Sequence, residues 1–117
     1  ELLAVLKNNI NNKEQKIVLK TSENRYVIAI KDIIRLEADS AYTIFHLQNQ
    51  RIIVSKNLKY YQDLLGDDFL RCHQSHLVNK SHIKTTSKKN LVILSNNDSV
   101  PISSRKRKEV FSFLESL

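Results

Sequence analysis

A single glycine, a single proline and a single cysteine in 117 residues exclude several kinds of chemistry at once. Gly66 alone cannot build a Gly-rich phosphate loop, which needs clustered glycines so that the backbone can approach a ligand. Cys72 alone leaves no disulfide framework, which a small secreted domain usually carries, so a reducing, cytoplasmic location is expected. No run of about 18 apolar residues occurs, so no membrane-spanning helix is expected. A signal-peptide pattern is also missing. Neither a Ser-x-x-Lys nor a Gly-x-Ser-x-Gly nucleophile setting is present. The close carboxylates, Asp67-Asp68 and Glu37 with Asp39, have no acid–base partner nearby in sequence. The chain therefore reads as a non-enzyme without a cofactor. It begins with Glu1 rather than Met, as expected of a fragment or a processed form.

What is present is a foldable chain with an uneven charge. Its length fits one domain able to bury roughly two-thirds of its unfolded surface, and 41% of its residues are hydrophobic. The formal charge is +7. Residues 69–108 hold nine basic residues and one acidic one, while the remainder is close to neutral. An excess confined to one block implies a polyanionic partner, nucleic acid first and an anionic membrane second.

Periodicity outlines the elements. Leu2, Leu3, Leu6 and Ile10 have helical spacing, so residues 1–15 read as a short N-terminal helix or linker from a preceding regulatory domain, and 16–117 as the folded domain. Strands are expected at 17–19, 26–30, 33–38, 42–47 and 51–55. A short helix over 57–65 follows, with Ser55 or Asn57 as N-cap and Gly66 as the left-handed C-terminal cap. Residues 91–94 and 100–102 form a hairpin around Asn96-Asn97-Asp98. Pro101, having no amide donor, places its strand on an edge. A closing helix from about Ser104 buries Val110, Phe111, Phe113, Leu114 and Leu117. The order lacks alternating βαβ units, so the expected fold is mainly β: short antiparallel sheets with a mid-chain and a C-terminal helix.

Two stretches carry the functional signal. Phe69 to Ile83 is dense in polar groups yet keeps Phe69, Leu77, Val78 and Ile83 as anchors. Arg71, Gln74, Ser75 and Lys80 cannot all be buried, so long donors are expected to face outward. Ser103-Ser104-Arg105-Lys106-Arg107-Lys108 puts four cations at a helix start, where each costs about 0.3–1 kcal/mol unless an anion compensates. Helix amides, serine hydroxyls and guanidinium groups together suit phosphate. Lys88 and Lys89, in a loop, suit backbone contacts. The alternatives are solvated surface in each case. His46, His73, His76 and His82 lack metal-ligand spacing, so no metal is expected. Cys72, flanked by Arg71 and His73, is either a redox-sensitive thiolate or, the preferred reading, a half-buried inert thiol.

Phe69-x-Arg71-Cys72-His73-x-Ser75-x-x-Val78-Asn79-x-x-x-Ile83 resembles the central signature of the LytTR domain of bacterial transcription regulators. Ile33-Ile34-Arg35-Leu36-Glu37-Ala38 is similar to the family's Ile-x-Tyr-Ile-Glu-type strand, with Arg35 where an aromatic is common. Val100-Pro101-Ile102-Ser103-Ser104-Arg105 is similar to its closing segment, and the match runs over about 17–114. The resemblance implies the output domain of a two-component response regulator. Its loops would read double-stranded DNA in successive major grooves, commonly at direct repeats bound by two copies. A receiver domain and a sensor kinase would complete the system. By position, Gln74 and Arg105 would read bases. The first loop would fall near Ser40-Ala41-Tyr42, where Tyr42 is the candidate reader. Gln74 stands where Asn or Arg is usual, so the target sequence is not inherited. Arg71, Ser75, Lys80, Lys88, Lys89, Lys106 and Lys108 would meet the DNA backbone. Asn79 and His76 are assigned to the fold. The alternative function is a basic module that docks on proteins or anionic membranes without reading sequence.

Overall fold

The computed structural model describes residues 15–117 and the backbone of Val5–Leu6. As expected, the protein is mainly β. The strands are β1 (Val5–Leu6), β2 (Lys16–Lys20), β3 (Arg25–Ala29), β4 (Arg35–Asp39), β5 (Tyr42–His46), β6 (Arg51–Val54), β7 (Phe69–His73), β8 (His76–Asn79), β9 (Ile83–Ser87), β10 (Leu91–Leu94) and β11 (Ser99–Pro101). They form three antiparallel sheets in the orders β1-β2-β3, β6-β5-β4-β8-β7 and β11-β10-β9. Two helices complete the fold, α1 (Leu58–Leu65) and α2 (Arg107–Glu115).

The five-stranded sheet lies between the other layers. Successive strand residues point to opposite faces, so the neighbours Phe69 and Leu70, and likewise Leu77 and Val78, enter different cores. On one side Leu36, Phe45, Ile52, Phe69 and Leu77 pack against Ile17, Leu19 and the α1 residues Leu58, Tyr61 and Leu65. On the other side Ile34, Leu70, Cys72 and Val78 meet Val92, Leu94, Val100 and Val110.

Local chemistry fixes the ends of α1. The Asn57 side chain accepts from the Tyr60 amide at 2.9 Å, satisfying a first-turn donor. Gly66 closes the helix at φ 71° and ψ −150°, a conformation open essentially to glycine alone. Pro101 lies on edge strand β11, as its missing amide requires.

Several expectations need correction. Of the N-terminal helix, only Val5–Leu6 falls within the described residues. They form a strand against β2, in register with Ile17 and Lys16. Leucine spacing alone is a weak helix signal in a segment this short, and the edge of β2 offers backbone partners. The third strand starts at Arg35, because Ile30–Asp32 make one 3-10 turn that lets both Ile33 and Ile34 be buried. Strand β9, polar and without alternation, had no signal in the sequence. The last helix starts at Arg107 rather than Ser104. Residues 103–106 form a turn, with the Lys106 amide donating to the Ser103 carbonyl at 3.0 Å. The packed cations oppose the helix dipole in a first turn. Leu117 lies past the helix and is 87% exposed.

Candidate nucleic-acid interface

Strand pairing puts the loops together. In the five-stranded sheet Glu37 of β4 faces His76 of β8. The β4–β5 turn at Ser40-Ala41 and the β7–β8 turn at Gln74-Ser75 therefore stand at the same end. The Ala38 amide donates to the Ser75 carbonyl at 2.9 Å and ties the two. Beyond β7, the Ser103 amide donates to the Cys72 carbonyl at 2.9 Å, which seats the 103–106 turn beside Gln74. The Ile102 amide in turn donates to the Asn90 carbonyl at 2.9 Å, which brings in the β9–β10 turn carrying Lys88 and Lys89. Four turns from four parts of the sequence thus line one edge of the molecule.

The side chains along this edge differ in how they are held. Gln74, Arg105, Lys88, Lys89 and Lys108 are exposed, and their side chains have no partner among the described residues. Tyr42 is 51% exposed, with its hydroxyl equally free. Lys106 lies 3.6 Å from Glu109.

Arg71 is different. Its Nε donates to the His73 carbonyl at 2.8 Å and its Nη1 to the Gln62 Oε1 at 2.6 Å. Its Nη2 donates to the Gln74 carbonyl. Three donors thus point into the turn and toward α1, and burial lowers the guanidinium's pKa from its ordinary value. Ser75 gives its amide to the His73 Nδ1 at 3.0 Å, so its backbone is fixed as well.

Lys80 is not brought to this edge. It follows Asn79, which pairs with Phe69 at the far end of the hairpin, about 14 Å from the turn at the usual rise per strand residue. There its ammonium sits 4.7 Å from the Phe113 ring centroid. Gln62, which orients Arg71, carried no signal in the sequence, since its partner lies on another element.

A polar network braces the sheet behind the turns. Arg35 pairs with Asp98 of the β10–β11 turn at 3.0 Å and with Glu37 at 3.3 Å, and Glu37 meets the His46 Nε2 at 2.9 Å. The arginine standing in place of an aromatic thereby links two sheets. Burial alone would raise the Glu37 pKa, but the His46 hydrogen bond and the Arg35 charge outweigh it and hold it low. Burial lowers His46 despite the Glu37 hydrogen bond. Burial also pushes His76 down to about 4, against an opposing pull from Glu37. The buried His76 Nδ1 has no hydrogen-bond partner among the described residues.

Asn79, 3% exposed, serves the fold as expected. It donates to the Ile33 carbonyl at 2.8 Å and the Ile30 carbonyl at 3.3 Å, and it accepts from the Ser81 amide and hydroxyl. Cys72 is fully buried rather than half-buried, and burial pushes its thiol up to about 12, which keeps it protonated. Among the described residues no cluster of three His, Cys, Asp or Glu is placed to hold a metal ion. No described helix is long and apolar enough to cross a membrane.

Comparison with known proteins finds the same fold. The solved LytTr DNA-binding domain of a Bacillus cereus response regulator superposes with a TM-score of 0.75 at 26% identity, covering 87% of this chain and 97% of that one. Accessory gene regulator protein A of Staphylococcus aureus is 33% identical over 103 residues, 86% of this chain and 43% of that protein. The sensory transduction protein LytR of Staphylococcus saprophyticus is 29% identical over 80 residues, 67% of this chain and 32% of that protein. The chain thus spans less than half the length of either regulator. The LytTr DNA-binding domain family matches residues 23–115, and with most of its length matched the chain belongs to that family.

Proposed function

We propose that the chain binds double-stranded DNA sequence-specifically, as the output domain of a cytoplasmic bacterial transcription regulator. The observation that carries this reading is the alignment of the Ser40, Gln74 and Ser103 turns on one edge, with the Gln74 amide, the Arg105 guanidinium and the Tyr42 hydroxyl free along it. A two-residue hairpin tip is narrow enough for a major groove about 12 Å wide. Arg105 can bond guanine and Gln74 adenine bidentately, each worth about 1–3 kcal/mol of discrimination. Lys88, Lys89, Lys106 and Lys108 neutralise flanking phosphates and make binding salt-dependent. Arg71 and Ser75 act by shaping the reading turn, and Lys80 has no part in this face. In a full-length regulator, a receiver domain answering a sensor kinase would control occupancy of direct repeats by two copies.

The test is selection of bound duplexes from a random pool, followed by binding of Arg105→Ala to the selected site. The expected result is an enriched motif that Arg105→Ala no longer prefers over random duplex, while weak salt-sensitive binding persists. A pool that enriches nothing, with vesicle binding that tracks anionic lipid, would establish the docking-module alternative instead.

A further inference from the structure

We infer that the corner formed by the β2–β3 turn and the β6–α1 junction is a second phosphate-binding site, at the opposite end of the edge from Lys88 and Lys89. The inference rests on the DNA-binding reading above and extends it to residues outside the basic 69–108 block.

Three observations support it. The first is position. Thr43 of β5 pairs with Val54 of β6, so Tyr42, Ser55 and Lys56 lie at the end of the sheet where Ser40 and Gln74 turn. The second is shape and lining. A hollow of about 620 Å³ opens there between the two sheets, lined among others by Lys20, Thr21, Ser22, Tyr42 and Ser55. A smaller one of about 170 Å³ shares Lys20 and Ser55 and reaches Lys56. Among the described residues no carboxylate lines either, so Lys20, Lys56, Ser22, Ser55 and Tyr42 border the space without a competing anion beside them, while the Thr21 hydroxyl donates to the Asn24 carbonyl at 3.2 Å. The third is rigidity. The Thr43 hydroxyl donates to the Lys56 carbonyl at 2.7 Å, and the Lys56 ammonium rests 4.9 Å from the Tyr60 ring centroid. The Thr21 hydroxyl oxygen accepts from the Asn24 amide at 3.0 Å and fixes the opposite wall.

The spacing suits a duplex. From β6 to β7 the edge crosses four strand intervals, about 19 Å at the usual separation, and the Ser103 and Lys88 turns extend it further. Cations at both extremes are thus more than about 19 Å apart, over half of one helical turn of DNA, about 34 Å. The reading turns lie between them. Phosphates flanking the contacted grooves would be held at both ends.

The test is the double variant Lys20→Ala/Lys56→Ala, measured on the selected duplex and on random duplex between 50 and 200 mM salt. Both lysines are exposed, and a thermal melt confirms that the variant is folded. Two lost phosphate contacts should reduce the slope of log K against log salt by about 1.8, so that over this fourfold range the variant loses about twelvefold less affinity than the parent. The change should be equal on both duplexes and leave the selected motif intact. Shortening the duplex on the side of the Ser40 turn should weaken the parent and leave the variant unmoved. An unchanged slope, in a protein whose Arg105-dependent selectivity is intact, overturns the second site alone. Absence of duplex selectivity in the parent overturns the DNA-reading proposal, and this inference with it.

Discussion

Replacing Arg71 by alanine separates two roles that one cation could fill. The guanidinium donates to the His73 and Gln74 carbonyls and to the Gln62 side chain. Hydrogen bonds from a charged donor contribute about 1.5–3 kcal/mol each and are not additive. Partial solvent exposure reduces the total, so Arg71→Ala should destabilise the domain by about 2–4 kcal/mol. The two carbonyls it leaves unpaired flank and include the residue proposed to read a base, so Gln74 should lose its fixed position. The assay pairs denaturant melts with binding titrations at several salt concentrations. A strut predicts lower stability, weaker binding to the selected duplex and an unchanged salt slope. A phosphate contact predicts near-native stability and a slope smaller by about 0.9. Arg71→Lys should rescue little, because an ammonium lacks the planar fork that reaches three acceptors. Gln62→Ala should show a weaker form of the same stability loss. Native stability with a reduced slope in Arg71→Ala would refute the strut.

Three further outcomes follow from the structure. Gln74→Ala should relax preference at one position of the selected motif; an unchanged motif would remove Gln74 from the reading set. His76, held at about 4 by burial against an ordinary value near 6.5, binds fewer protons in the folded than in the unfolded state between those values. Its contribution to stability is complete above about 6.5 and fades as pH falls toward 4. His76→Phe should therefore lose up to about 3 kcal/mol less than the parent between pH 7 and pH 4 in denaturant melts. Parallel acid limbs would refute this, and comparison with the parent cancels the acid-limb contribution of Asp98. Gly66→Ala meets open space but must adopt φ 71°, so it should cost about 1–3 kcal/mol in a melt, and a neutral result would mean that the cap relaxes.

The sequence was legible where the physics is local. Two-residue alternation located β2, β5 and β6, Asn57 and Gly66 bounded α1, and Pro101 marked an edge. The 69–83 signature marked a functional segment but read as a polar loop, whereas it forms the β7–β8 hairpin, and its donors were assigned too uniformly to solvent. Arg71 turns inward because two strand ends and α1 converge on it, a meeting of residues distant in sequence that no pattern records. The charge block was only a partial guide for a related reason. Each strand carries the chain from one end of the sheet to the other, so charges adjacent in sequence alternate between ends. Lys80 belongs to the block yet sits beside Phe113 at the far end, whereas Lys20 and Lys56 lie outside it and line the corner next to Tyr42. Strand β9 escaped notice because its threonines and serine bury too little to leave a periodic trace.

The inner strand β8, paired on both sides, has a consequence for retargeting. Leu77 and Val78 are wedged into separate hydrophobic layers, so a one-residue slip of β8 against its neighbours would carry His76 or Asn79 into a layer that now holds Leu77 or Val78. The tip can therefore change its chemistry freely, whereas a change of length must be absorbed within the turn so that β8 stays in place. Under the proposed DNA reading, an engineer redirecting this domain has free choice of side chain at position 74, provided that the register of the strand behind it is kept.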